Sequence, residues 1–200
     1  MGKIGPESNL AMSAQFSAVL LAAGRSTRMG RDKALLEIDG QPAWRRQREV
    51  LAELRPVEIF LSARPEQTWT SEAKGFTALL HDASPDLGPI SGITAALERT
   101  SAPLVAVLAI DLPKIDAAWF RALLASCTAT RGIVGRRGKF FEPLAAIYPR
   151  ELMWLAWAAI ARGENSLQRL AASAVEQGLL GVREIAAHEA PQFENRNEAE

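Results

Sequence analysis

Apolar residues in this chain come in short unbroken runs separated by longer amphipathic stretches. The runs at 17–23 (SAVLLAA), 57–62 (VEIFLS), 76–81 (FTALLH) and 104–110 (LVAVLAI) are almost continuous in hydrophobicity. Such runs predict strands covered on both faces, as in a parallel sheet; a strand with one wet face would alternate. Between them the period lengthens. Residues 42–54 carry Trp44, Val50, Leu51 and Leu54 at helical spacing. Residues 65–74 predict a shorter, more polar helix, and 90–99 set Ile93, Ala96 and Leu97 on one side. Strand and helix in alternation predict a mostly parallel sheet with helices on both faces.

Further along, the pattern changes. Residues 116–126 read as a helix, 131–135 as a short strand and 140–148 (FFEPLAAIY) as extended chain. Pro143 lies inside the last, and proline has no N–H for a ladder, so an edge strand or a bulge is expected there. Two helices follow, 149–161 and 165–175, split by Arg162-Gly163-Glu164-Asn165, and a last strand near 181–186. The expected architecture is one three-layer α/β/α domain over 16–200, with a flexible tail at 1–15. The five tryptophans, at 44, 69, 119, 154 and 157, sit mostly in helical stretches beside other apolar residues and read as packing. Arg45, Arg46 and Arg48 read as the solvated face of a helix.

Composition narrows the function. The 200 residues suit one full core. Lys plus Arg and Asp plus Glu number 23 each, so no global field favours nucleic acid or an anionic membrane. Any affinity for anions must come from a local cluster. Cys127 is the only cysteine, which excludes an intrachain disulfide and a cysteine-built zinc site; it reads as a buried thiol. His81 and His188 are the only histidines, too few for a multi-histidine metal centre. No run approaches the roughly 20 apolar residues of a membrane span, and the first residues lack a signal-peptide core. Met1-Gly2 suggests myristoylation only until Pro6, where that motif needs Ser or Thr. The expected location is the cytoplasm.

The local cluster is at 18–36, AVLLAAGRSTRMGRDKALL. A buried strand ends at Gly24, and Arg25, Arg28, Arg31 and Lys33 follow before the chain turns apolar again. In an open parallel sheet, ligands bind beyond the carboxyl ends of strands. Glycine lets a ligand approach the main chain, and N–H groups of such a turn form an anion-binding concavity. Polyphosphate is the natural guest, because charge-assisted hydrogen bonds to phosphate oxygens are about twice as strong as neutral ones. A P-loop is excluded, since Arg31 follows Gly30; the dinucleotide fingerprint is excluded by Ser26.

Two carboxylates end other apolar runs. Asp82 is the second residue of HDASPDLGPISG (81–92), in which Gly88 and Gly92 shape the entry to a helix. Asp111 ends the most hydrophobic run in the chain, where an ionised group is costly unless it meets a cation. Mg2+ is held through one or two carboxylates plus phosphates, and Asp111 suits that role.

The pattern L-A-A-G-x-S-x-R-M-G-x-x-K, with Gly24, Arg28, Met29, Gly30 and Lys33, resembles the signature of the MobA-like nucleotidyltransferases, which include the molybdenum cofactor guanylyltransferases. The ordered set of loop, Asp82, Asp111 and a Phe-x-Asn-x-Asn ending (FENRN, 193–197) carries the resemblance from about 17 to 197. It implies a Rossmann-like nucleotidyltransferase (nucleotide-diphospho-sugar transferase) fold. It implies that Leu21, Ala22, Ala23, Gly24 and Arg25 bind the nucleotide, with Arg28 and Lys33 neutralising its triphosphate. Asp82, Gly88 and Gly92 would hold base and ribose. Asp111 would bind Mg2+, and Arg28, Lys33 and Asp111 together would be catalytic. Asn195 and Asn197 would touch acceptor or metal, and Glu142-Pro143-Leu144 loosely resembles the family's acceptor-side segment.

The implied reaction is Mg2+-dependent transfer of GMP from GTP to molybdopterin, with release of pyrophosphate. A molybdoenzyme or insertion chaperone would collect the product. This chemistry needs alignment and charge neutralisation rather than a nucleophilic side chain. One departure matters: Ala23 stands where guanylyltransferases usually carry glycine, a form associated with cytidylyl and sugar-phosphate transferases. A non-catalytic nucleotide-binding or cofactor-binding protein is the other alternative.

Overall fold

The computed structural model describes residues 14–24, 32–81 and 87–194. The tail expected at 1–15 falls almost wholly outside them. Among the described residues the apolar runs form the strands β1 (Phe16–Leu21), β4 (Ile59–Ala63), β5 (Ala78–His81) and β6 (Leu104–Ala109). The amphipathic stretches form the helices α1 (Ala43–Glu53), α2 (Pro89–Arg99) and α3 (Ala117–Leu124). The later part supplies β7 (Gly132–Arg137), β8 (Phe140–Pro149), α4 (Leu152–Ala161), α5 (Leu167–Glu176) and β9 (Leu180–Glu184). No helix among the described residues is long and apolar enough to cross a membrane.

A seven-stranded sheet runs in the order β5-β4-β1-β6-β8-β7-β9. Only β8 opposes its neighbours, so the sheet is mostly parallel, as expected. Alternate residues of the central strands enter two separate cores. Ala18, Leu20, Leu104, Ala106 and Leu108 pack with Trp44, Leu51, Trp119, Phe120 and Leu123 of α1 and α3. Val19, Leu21, Val105 and Val107 pack with Ile93, Leu97, Leu152, Ala156 and Leu170 of α2, α4 and α5. These are the three layers. Every residue of β6 is buried. At about 1.5–3 kcal/mol per buried large aliphatic side chain, β1 and β6 anchor the sheet.

Three local expectations change. Residues 65–74 form no α-helix but a 3-10 turn at Thr68–Ser71. Pro65 opens the segment, and Gln67 and Trp69 turn inward to bond other loops, which leaves too little chain for a stable helix. Pro143 is not on an edge, because β8 lies between β6 and β7. The bulge alternative holds: Ile133 pairs with Ile147 and Gly135 with Glu142, so extra residues of β8, Pro143 among them, escape the ladder. The third change is a hairpin of β2 (Glu37–Ile38) and β3 (Gln41–Pro42), closed by Asp39 and Gly40, both at positive φ. Asp-Gly is the dipeptide that such a two-residue turn favours.

Trp44, Trp69 and Trp119 are core residues, whereas Trp154 and Trp157 lie on the exposed side of α4. Arg45 is exposed; Arg46 pairs with Asp39, and Arg48 donates to the Gly75 carbonyl. Cys127 is half-buried just beyond α3, where its thiol donates to the Leu123 carbonyl. Burial pushes it up to about 12, which leaves an unreactive thiol.

Candidate active site at the carboxyl edge of the sheet

The connection after β1 runs to β4 on one side, while β6 lies on the other side of β1. Beyond the carboxyl ends of β1 and β6 the chain therefore leaves in opposite directions and opens a crevice. Leu21 is in register with Ala109 of β6 and with Ser62 of β4. Two more ladder bonds extend the edge: Ala22 N–H donates to Ser62 O at 2.8 Å, and Ile110 N–H donates to Leu21 O at 3.0 Å. Ala22, Ala23 and Gly24 thus leave the sheet beside Asp111.

Lys33 reaches this edge from the far end of the first loop. It opens a 3-10 turn (Lys33–Leu35) whose N-cap is Asp32. Its Nζ lies 3.8 Å from Asp111 Oδ2, and each side chain is about one-fifth exposed at 20%. Asp111 is the carboxylate just past β6, and among the described residues Lys33 is a cation that meets it there. On α1, the fully buried Gln47 donates from Nε2 to the Leu112 carbonyl at 2.7 Å and fixes the chain just past Asp111.

Gly88 and Gly92 belong to α2, which starts at the same edge. Gly88 caps the helix at φ +68°, open to the left-handed region that favours glycine, with Pro89 as its first residue. Gly92 is buried against the sheet. A methyl on it would lie 2.4 Å from Ser62 Oγ and 2.9 Å from Leu21 Cδ2, so α2 packs closely on β1 and β4 because this position has no side chain. The structure thus brings together Leu21, Ala22, Ala23, Gly24, Lys33, Gly88, Gly92 and Asp111. Arg25, Arg28, Asp82, Asn195 and Asn197 lie outside the described residues. The segment leading to the two asparagines is anchored by buried Phe193, whose ring meets Trp119 edge-on at 4.9 Å.

Sequence reading missed an arm between β4 and β5. Arg64 Nη1 donates to the carbonyls of Ala23 and Gly24, the latter at 2.8 Å. Gln67 Nε2 donates to Ala22 O at 2.9 Å and to Asp32 Oδ2 at 2.6 Å. Trp69 Nε1 also donates to Asp32 Oδ2, at 2.8 Å. The only signal was Arg64, Gln67 and Trp69 just past a strand end, in a segment too polar for a core helix. Glu142, near the start of β8, sits on the β6–β8 side of this edge. Burial pushes its carboxyl above the usual range, opposed by Arg137 at 3.3 Å.

An open, mostly parallel sheet with charged side chains gathered at its switch point is the architecture in which α/β proteins bind charged ligands, nucleotides among them. The chain belongs to the MobA-like NTP transferase family, whose domain matches residues 18–178. It is a nucleotidyltransferase. It is 38% identical over 195 residues to the "Probable molybdenum cofactor guanylyltransferase" of Opitutus terrae, covering 94% of this chain and 95% of that one. The crystal structure of molybdopterin-guanine dinucleotide biosynthesis protein A from Archaeoglobus fulgidus superposes with a TM-score of 0.71. The two chains are 21% identical, with 92% of this chain and 93% of the other covered. Rv0371c from Mycobacterium tuberculosis, solved in complex with manganese, superposes with a TM-score of 0.61 at 21% identity, covering 87% of this chain and 89% of that one. That neighbour shows the fold together with a divalent cation.

Proposed function

We propose that this protein transfers GMP from GTP to molybdopterin, with Mg2+ and with release of pyrophosphate, and that residues 16–200 act as one catalytic domain. The observation that carries the reading is the Lys33–Asp111 pair at the mouth of the β1–β6 crevice, beside the strand end at Ala22–Gly24. The names of the Opitutus and Archaeoglobus relatives support guanine and the pterin.

In this reading Ala22, Ala23 and Gly24 offer the backbone to the triphosphate, and Lys33 offsets charge on the β- and γ-phosphates. Arg25 and Arg28 add to that neutralisation. A phosphate oxygen of the acceptor attacks the α-phosphorus. The new P–O bond forms as the bond from the α-phosphorus to its β-bridging oxygen breaks, and pyrophosphate leaves with the electron pair. The α2 N-terminus, with Gly88 at its cap, turns its positive dipole end towards the same edge. Asp82, Gly88 and Gly92 would hold the base and ribose. Asn195 and Asn197 serve the acceptor or the metal.

The donor set fits magnesium. Among the described residues no group of three or more acidic, histidine or cysteine side chains gathers to cage a metal, and Asp111 supplies one hard oxygen ligand at the crevice. That suits an ion held mainly by phosphates and water. When bound, the ion would neutralise phosphate charge; Asp111 would hold it, and Lys33 would then turn from Asp111 to the phosphates.

Ala23 favours a second reading, a cytidylyltransferase on the same fold. Pyrophosphate release from GTP, CTP, ATP and UTP, each with and without molybdopterin, decides between them. Release from GTP only when the pterin is present is the expected outcome. Release from CTP would move the donor assignment, and nucleotide binding with no release would favour a non-catalytic carrier.

A further inference from the structure

We infer that Arg64 and Gln67 are positioning residues that turn the backbone N–H groups of Ala23 and Gly24, where the first loop starts, into a triphosphate cradle and tie that start to Asp32. The inference rests on the reading that this loop receives a triphosphate.

Three successive carbonyl oxygens, those of Ala22, Ala23 and Gly24, accept hydrogen bonds from one short arm. In an extended strand successive carbonyls point to alternate sides. Here the arm gathers all three. In a trans peptide the N–H lies opposite the C=O of the same unit. Drawing in Ala22 O therefore turns the Ala23 N–H away from the arm, and drawing in Ala23 O does the same for the Gly24 N–H. Successive N–H groups turned to one side make a concavity for anions. Gly24 fits that use. A methyl built on it meets no described atom within 4 Å, so none of the described neighbours demands glycine here, and the missing side chain would leave room for a ligand to approach the main chain.

The arm is itself rigid. Arg64 N–H donates to Gln67 Oε1 at 2.7 Å, Gln67 N–H donates to Arg64 O at 3.1 Å, and Gln67 is buried. Both N–H groups of the Gln67 amide are used, one on Ala22 O at the loop's start and one on Asp32 Oδ2 at its end. Asp32 Oδ1 in turn accepts from Ala34 N–H at 3.0 Å and so sets the turn that carries Lys33. One amide thus couples the backbone cradle to the lysine that completes it. A glutamate at 67 has no such pair of donors. It would put a second carboxylate against Asp32, and two carboxylates at that distance share one proton.

The test measures binding of tripolyphosphate and of GTP, CTP, ATP and UTP, each with Mg2+, to wild type, Arg64→Met, Arg64→Lys and Gln67→Glu between pH 5.5 and 8, with Tm recorded for each. Arg64→Met should weaken tripolyphosphate at least about tenfold, while Arg64→Lys, which keeps a charged donor, stays within about threefold. Gln67→Glu should weaken it at least about tenfold at pH 8 and recover relative to wild type towards pH 5.5, a pH dependence that a merely structural brace does not produce. Folded Arg64→Met and Gln67→Glu that both bind within about twofold of wild type at pH 8 would overturn the inference. Should Arg64→Met fail to fold, the pH profile of Gln67→Glu decides alone. Wild type that binds no tripolyphosphate overturns both this inference and the triphosphate reading. Variant effects on tripolyphosphate without any preference for GTP among the four nucleotides uphold the cradle and overturn only the guanine assignment.

Discussion

Lys33 Nζ lies 3.8 Å from Asp111 Oδ2, across the end of the crevice between β1 and β6. One residue comes from the far end of a charged loop and the other from the end of the most buried strand. At an effective dielectric constant near 20 the attraction of such a pair is a few kcal/mol before the cost of desolvation, enough to keep both side chains aimed at one spot. In the proposed reading a polyphosphate with a divalent cation would match that spot charge for charge, the anion to Lys33 and the cation to Asp111.

Replacing Lys33 with alanine removes the cation and leaves Asp111 without its ammonium neighbour. Turnover should fall at least tenfold, since a charged hydrogen bond contributes about 1.5–3 kcal/mol and each 1.4 kcal/mol is a factor of ten. Pyrophosphate release at saturating nucleotide is the measurement. Unchanged kinetics would remove Lys33 from the site.

Asp111→Asn keeps the shape and removes the charge. Activity should drop about a hundredfold, and the metal concentration for half-maximal rate should rise. A magnesium titration of the rate checks this. A variant with wild-type metal dependence would place the cation elsewhere.

Gly92→Ala tests how α2 sits on the sheet. Its methyl would crowd Ser62 Oγ and Leu21 Cδ2, so these side chains must turn aside or the helix must lift from the sheet. Overpacking of this kind costs typically about 1–3 kcal/mol. Tm should fall, and nucleotide affinity with it, because the same shift moves Leu21 and the strand end. Thermal melts beside a nucleotide titration separate the two effects; a fall in affinity at unchanged Tm would make Gly92 a contact rather than a spacer.

Acid stability should report on Glu189. Its carboxylate takes paired hydrogen bonds from Arg183, at 2.7 and 3.3 Å, and a third from Ala186 N–H. The bonds from Arg183 hold it below the usual carboxylate range. A folded-state value below the unfolded one gives a contribution that is complete above about pH 4.3 and is lost as pH falls through the folded value. The stability gap between wild type and Glu189→Gln should therefore be flat from pH 7 to pH 5 and narrow below about pH 4. Denaturant midpoints across that range check it, and a gap that does not change with pH would show that the pair contributes nothing.

The sequence by itself determined the layers. Unbroken apolar runs mark strands buried on both faces, and the structure sorts their alternate residues into two cores under α1 and α3 and under α2, α4 and α5. That Asp111, closing the most apolar run, calls for a cation was legible for a related reason: a charge at the end of a buried strand conflicts with its surroundings unless a ligand or partner explains it, and Lys33 stands beside it. What only the tertiary structure decided is which distant groups meet. Gln67 was hidden in a polar stretch that reads as a weak helix, yet its one amide joins Ala22 to Asp32. Gln47 looked like one polar position on an amphipathic helix, yet it is fully buried against the Leu112 carbonyl. Periodicity reports how much of a side chain is covered. It carries no information about which carbonyl that side chain will bond, because long-range hydrogen-bond partners are fixed by the register of strands and by how closely a helix such as α2 can approach them.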